Sequence, residues 1–110
     1  MSDLHHIYYN RRGEPITHEQ QMEEWKQSDF DWDKMKRVAR QEQDDIVVST
    51  VFLGLNHQYG DGPPLIFETM IFGGEHDEKQ WRYTTEAEAL QGHEVAVTLA
   101  FGLTGDTSSE

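Results

Sequence analysis

Cysteine is absent from the chain, so a disulfide framework, a thiolate metal site and a thiol nucleophile are all excluded. Small extracellular domains usually rely on such cross-links, and doing without them favours a reducing, cytoplasmic setting. Long hydrophobic runs are missing too. The longest mainly apolar stretch, residues 46–55, is far too short to cross a bilayer as a helix. Residues 1–9 carry neither the basic stretch nor the apolar run of a signal peptide. No membrane partner is therefore expected. Also lacking are a phosphate-cradling G-x-x-x-x-G-K-[ST], an H-E-x-x-H pair and a nucleophile-elbow serine. The sequence points to no cofactor and no metal, and toward a binding role more than an enzymatic one.

Positive charge is scarce: nine Lys and Arg face twenty-one Asp and Glu, for a net charge of −12. The imbalance is uneven. Residues 1–43 hold nine acids and seven bases, whereas residues 44–110 hold twelve acids against Lys79 and Arg82 alone. Such a surface repels phosphate backbones, so direct nucleic-acid binding is not expected unless it uses the small cluster Lys34-Met35-Lys36-Arg37. Acidity of this kind serves solubility, or else lets a protein mimic nucleic acid in the basic groove of a partner.

What is present fits one domain. A chain of 110 residues has no room for two independent cores, and its twelve aromatic residues offset a lean apolar content. The expected class is α+β: an antiparallel meander of three to five strands with one N-terminal and one C-terminal helix, over residues 1–103. Residues 104–110, small and polar, are expected to form a disordered tail.

Residues 4–9 read as a short strand and Asn10-Arg11-Arg12-Gly13 as a turn. Thr17 and Gln20 form a T-x-x-Q capping box that opens a helix to about Gln27, with Met22 and Trp25 as its apolar stripe. Residues 28–33 read as an acidic-aromatic loop, residues 34–43 as a polar strand, and Gln43-Asp44-Asp45 as a turn. Two ribbons rich in β-branched and aromatic residues follow, 46–55 and 65–72, and are expected to pair antiparallel. The loop 56–64, with two glycines and a double proline, connects them. Trp81-Arg82-Tyr83 is a third partner. Thr85 and Glu88 form a second capping box, T-x-x-E, ahead of a helix whose Ala87, Leu90, Val97 and Phe101 share one face, with His93 and Ala100 beside them and Gly102 just past its end.

In the first ribbon Val47, Val51, Leu53 and Leu55 are expected on one side, and Ile46, Val48 and Phe52 on the other. Both faces are then apolar, which calls for two covering helices or for a partner chain, a homodimer included. Phe52, Phe67, Phe72, Leu90, Val97 and Phe101 are the expected core.

The blocks Ser49-Thr50-Val51-Phe52-Leu53-Gly54-Leu55-Asn56-His57, Gly62-Pro63-Pro64 through Gly73-Gly74, and Arg82-Tyr83-x-Thr85 with Ala89 and Gly92-His93 occur in a fixed order. Over roughly residues 35–95 this series resembles a group of short bacteriophage and prophage proteins of unassigned function. The resemblance implies a viral origin and a bacterial host cytosol. It implies no catalytic or binding residue.

Several residues are candidates for a site. Glu68 interrupts an apolar strand, and a buried carboxylate is costly unless paired; Arg82, Arg37 or Arg40 could neutralise it. It is either a structural ion-pair member or a carboxylate presented in a cleft. The loop carrying His57, Tyr59 and Asp61 is either a recognition surface or an ordinary connection. Arg82 and Tyr83 could join it around a ligand. His57 and His76 are expected at opposite ends of the strand pair, which argues against a metal site. Asp29-Phe30-Asp31-Trp32-Asp33 could dock on a basic partner or fold back on its own core.

Three functions remain open on this reading. One is an accessory protein that binds and modulates a host protein with a basic surface, as an anti-defence factor or nucleic-acid mimic. Another is a module for a small ligand or nucleotide, built on His57, Tyr59, Asp61, Glu68, Arg82 and Tyr83. The third is a small hydrolase using Glu68 and a histidine.

Overall fold

The computed structural model describes residues 7–57 and 62–102. Within them the chain is α+β, with a four-stranded antiparallel sheet, a separate two-stranded hairpin and helices before and after the sheet. The expected tail at 104–110 lies outside the described residues, as do Tyr59 and Asp61.

The hairpin comes first. β1 (Tyr8–Tyr9) pairs antiparallel with β2 (Pro15–Ile16). The turn between them is built by Asn10, whose Oδ1 accepts from the backbone N–H of Arg12 and of Glu14 while its amide donates to the Glu14 carboxylate. Gly13 supplies the left-handed residue there, at φ +85°. α1 (His18–Gln27) then starts at the Thr17–Gln20 capping box, both reciprocal bonds of which form. Its inward face differs from the expected stripe. Gln21 is buried whereas Met22 is exposed, because the polar Gln21 amide has a backbone carbonyl to bond at Gly54.

The next segment corrects the sequence reading. Residues 34–36 are not strand; they belong to α2 (Trp32–Lys36), and β3 (Arg37–Gln43) begins only after it. The cause is Asp31, whose carboxylate accepts from the N–H groups of Asp33 and Lys34 and so caps a short helix. Asp29 and Phe30 adopt φ of 60° and 56°, turning the chain between the two helices.

β4 (Ile46–Phe52), β5 (Phe67–Phe72) and β6 (Gln80–Tyr83) complete the meander in the order β3-β4-β5-β6. The two central ribbons do pair antiparallel, with Thr50 opposite Thr69 and Val51 opposite Glu68. Both are shorter than read from sequence. β4 stops at Phe52 because Gly54, at φ +76°, turns the chain aside; Leu55 then bridges to Tyr8. Leu53 and Leu55 thus lie beyond the pleat and do not extend the Val47–Val51 side.

α3 (Glu86–Phe101) begins at the Thr85–Glu88 capping box, ends at Gly102 with φ +67°, and packs across the inner face of the sheet. The buried apolar residues form two clusters. Val48, Ile71, Ala96 and Val97 make one; Phe52, Ile66, Phe67 and Ala89 make the other. The helix is rotated from its expected setting. Ala89, His93, Ala96 and Val97 face the sheet, while Leu90 is 45% exposed. Gly92 explains the rotation: the Tyr83 ring occupies the space where its side chain would be, so the helix can sit close to β6 only at that residue.

The outer face of the sheet is not covered by α3. Val47, Val51 and Met70 are partly exposed there and Phe72 is 45% exposed, so Phe72 and Leu90 are not core residues. Both faces of the central pair are mainly apolar but interrupted by polar residues. Ser49 and Glu68 break up the outer one, and Thr50 and Thr69 the inner one. Among the described residues no helix is long and apolar enough to cross a membrane.

A candidate ligand pocket beneath the first helix

The residues singled out from sequence separate in space. Glu68 and Arg82 are opposite one another on β5 and β6, and the Arg82 Nε donates to the Glu68 carboxylate at 3.1 Å. The carboxylate is thus paired on the outer face, where its side chain keeps 17% exposure. Tyr83, the next residue on β6, projects to the inner face against α3. His57 sits past the other end of β4, its N–H bonded to the Leu65 carbonyl. His76 lies in the β5–β6 turn, at the opposite end of the strands. Among the described residues no three His, Asp or Glu side chains converge as a metal ligand set.

Two polar features stand out that no sequence motif announced. One is a buried chain at the centre of the inner face. Thr69 Oγ1 lies 2.5 Å from Thr50 Oγ1, which lies 2.7 Å from His93 Nδ1, and His93 Nε2 lies 3.2 Å from the Gln41 Oε1. A carbonyl oxygen only accepts, so Nε2 carries the proton and Nδ1 accepts from the Thr50 hydroxyl. Both ring nitrogens are therefore engaged, and burial pushes the His93 pKa down from the usual histidine value. With its capacity spent internally, this chain ties β3, β4, β5 and α3 together and has nothing left for a ligand.

The other feature has capacity to spare. Lys36, last residue of α2, turns inward and is 92% buried, its residual exposure being 8%. It is carried there by the switch from helix to strand at Arg37. Its Nζ donates to the Leu53 carbonyl at 2.9 Å and lies over the rings of Trp25, 4.8 Å away, and Phe52, 5.3 Å away. No carboxylate neutralises it among the described residues. Desolvation accordingly pulls its pKa below the ordinary lysine value. Every arginine, by contrast, has a carboxylate: Arg11 with Glu86, Arg12 with Glu14, Arg37 with Asp33, Arg40 with Glu42 and Arg82 with Glu68. The Lys34-Met35-Lys36-Arg37 cluster is consequently not one basic patch, since Lys36 faces inward and Arg37 is paired.

Lys36 lines a cleft of about 260 Å³ together with Tyr8, His18, Gln21, Trp25, Leu53 and Leu55. Four segments build it: β1, α1, α2 and the strand end turned by Gly54. The Gly54 carbonyl accepts from the Tyr9 N–H and from the Gln21 amide, fastening hairpin and helix to that turn. A side chain at Gly54 would press on Lys36 Nζ, 2.9 Å away, and on the Gln21 amide. The Tyr8 and His18 rings meet at 5.3 Å on one wall. Among the described residues, Trp25 Nε1 is the buried side-chain polar atom left without a partner; Trp25 is one of the residues that line the cleft.

No family model matches the chain, and neither does any curated protein or solved structure.

Two further clefts contain arginines that are already paired. The larger, about 560 Å³, is lined by Arg12, Glu14, Glu23 and Glu24 among others; the smaller, about 240 Å³, by Arg11, Arg12 and Lys34 among others. In both, the arginines hold their own carboxylates. Sequence reasoning overlooked the Lys36 site because a lysine next to Arg37 in a polar stretch reads as solvated. The one available signal was Trp25, the single aromatic residue of a mainly polar helix.

Proposed function

We propose that the protein is a binding module for a small ligand, seated in the pocket between α1 and the end of β4. The observation that carries this reading is Lys36: a lysine nine-tenths buried, its ammonium held by one carbonyl and two aromatic faces, with N–H donors left over at a cleft. Leaving a cation unneutralised in a molecule of net charge −12 is unfavourable for the fold alone, where carboxylates are plentiful. Such a group is instead suited to a guest that supplies the missing acceptor. The lining contains no paired acid and base, which favours binding over turnover.

A ligand-detected NMR screen of neutral and charged fragments tests the proposal. Hits are expected to compete for one site and to be lost in Leu55→Trp, which narrows the mouth of the cleft. A screen without hits, or hits unaffected by that substitution, would count against it.

A second reading keeps the host-protein role implied by the bacteriophage resemblance. Its support is the net charge of −12 together with the uncovered outer sheet face bearing Val51, Met70 and Phe72. The partner would be a protein presenting a basic surface. Affinity capture from bacterial lysate should then recover one stoichiometric protein, released by salt and lost with Val51→Lys/Met70→Lys. Equal recovery by the substituted protein would exclude that face.

A further inference from the structure

Building on that small-ligand reading, we infer that the occupant of the pocket is a compact organic monoanion, a carboxylate on a flat or aliphatic body, met by the Lys36 ammonium. The charge count decides the valence. One uncompensated cation is neutralised by one negative charge, whereas a dianion would leave a net negative charge in a desolvated site. The surrounding field points the same way. A chain with a net charge of −12 repels a phosphate ester or nucleotide more strongly than a singly charged acid.

Donor chemistry narrows it further. Phosphate recognition draws on forked guanidinium groups or on a run of backbone N–H groups, and all five arginines are committed to carboxylates elsewhere. The pocket offers a point charge, an ammonium with N–H donors beyond the one given to the Leu53 carbonyl, which suits a carboxylate oxygen. The remaining walls are Tyr8, Trp25, Leu53 and Leu55, which would bury an apolar body, together with the polar side chains of His18 and Gln21. A volume of about 260 Å³ limits that body to a small one.

The experiment is isothermal titration of the full chain at neutral pH with benzoate, its uncharged isostere benzamide, and phenyl phosphate. Benzoate is expected to bind about tenfold or more tighter than either. Lys36→Met and Lys36→Gln, each checked for folding by circular dichroism, are expected to erase that preference. The ranking is read on the unaltered protein and does not depend on a variant folding. Benzamide or phenyl phosphate binding as tightly as benzoate would overturn the monoanion inference and leave the pocket reading standing. Binding of none of the three, together with an empty fragment screen, would remove both.

Discussion

Thr50 donates its hydroxyl to His93 Nδ1 across 2.7 Å in a place sealed from solvent, so the fold is built around a neutral imidazole. Protonating that ring would put two N–H donors where one acceptor and one donor are required. The folded state binds the proton less readily than the unfolded chain, so the imidazole's contribution is intact above the unfolded value, about 6.5, and is lost as pH falls below it. Urea titrations between pH 7.5 and 5.5 should show stability declining on acidification in the native protein. The decline should be shallower in His93→Gln, which cannot take up a proton. A native profile parallel to that of the variant would refute the assignment.

Gly92 stands inside a helix, where alanine would ordinarily add about 1 kcal/mol of stability. Here the sign should reverse. An added methyl would collide with the Tyr83 ring, and overpacking of this kind costs about 1–3 kcal/mol. Gly92→Ala should therefore melt lower than the native protein, and pairing it with Tyr83→Ala should recover the helix gain. Thermal unfolding of the two variants measures both effects. A more stable Gly92→Ala single variant would show that α3 can shift away from β6.

Glu68 and Arg82 form a cross-strand pair that still reaches water, with 17% and 34% of their side chains exposed. Pairs of this sort contribute about 0–1 kcal/mol. Glu68→Gln should accordingly lower stability by less than about 1 kcal/mol in chemical denaturation. A loss of several times that size would mean that the carboxylate is sealed in a covered face, which would require a partner on the sheet.

Much of the architecture could be read from residue order. The helix starts were legible because Thr17–Gln20 and Thr85–Glu88 satisfy backbone donors within a few residues of themselves, a purely local transaction. The pairing of the two ribbons was legible for a similar reason, since β-branched runs on either side of a turn-rich connection have few alternatives. Residues 34–36 misled because a polar strand and a short capped helix have the same composition. What separates them is one carboxylate, Asp31, accepting from the N–H groups of Asp33 and Lys34.

The site was hidden for a different reason. Local order determined where strands and helices begin, which connections turn, and that the molecule is acidic and free of cysteine chemistry. Only the tertiary structure decided which face of α3 is inward, because that depends on Tyr83 filling the notch at Gly92. It also decided that His93 is a core residue and that Lys36 is a buried cation. Burial and neutralisation are properties of groups brought together from distant parts of the chain: Lys36 meets Trp25 and Leu53 only when α1, α2 and the end of β4 close on one another. A lysine's charge is written in the sequence. Whether anything balances it is settled by packing.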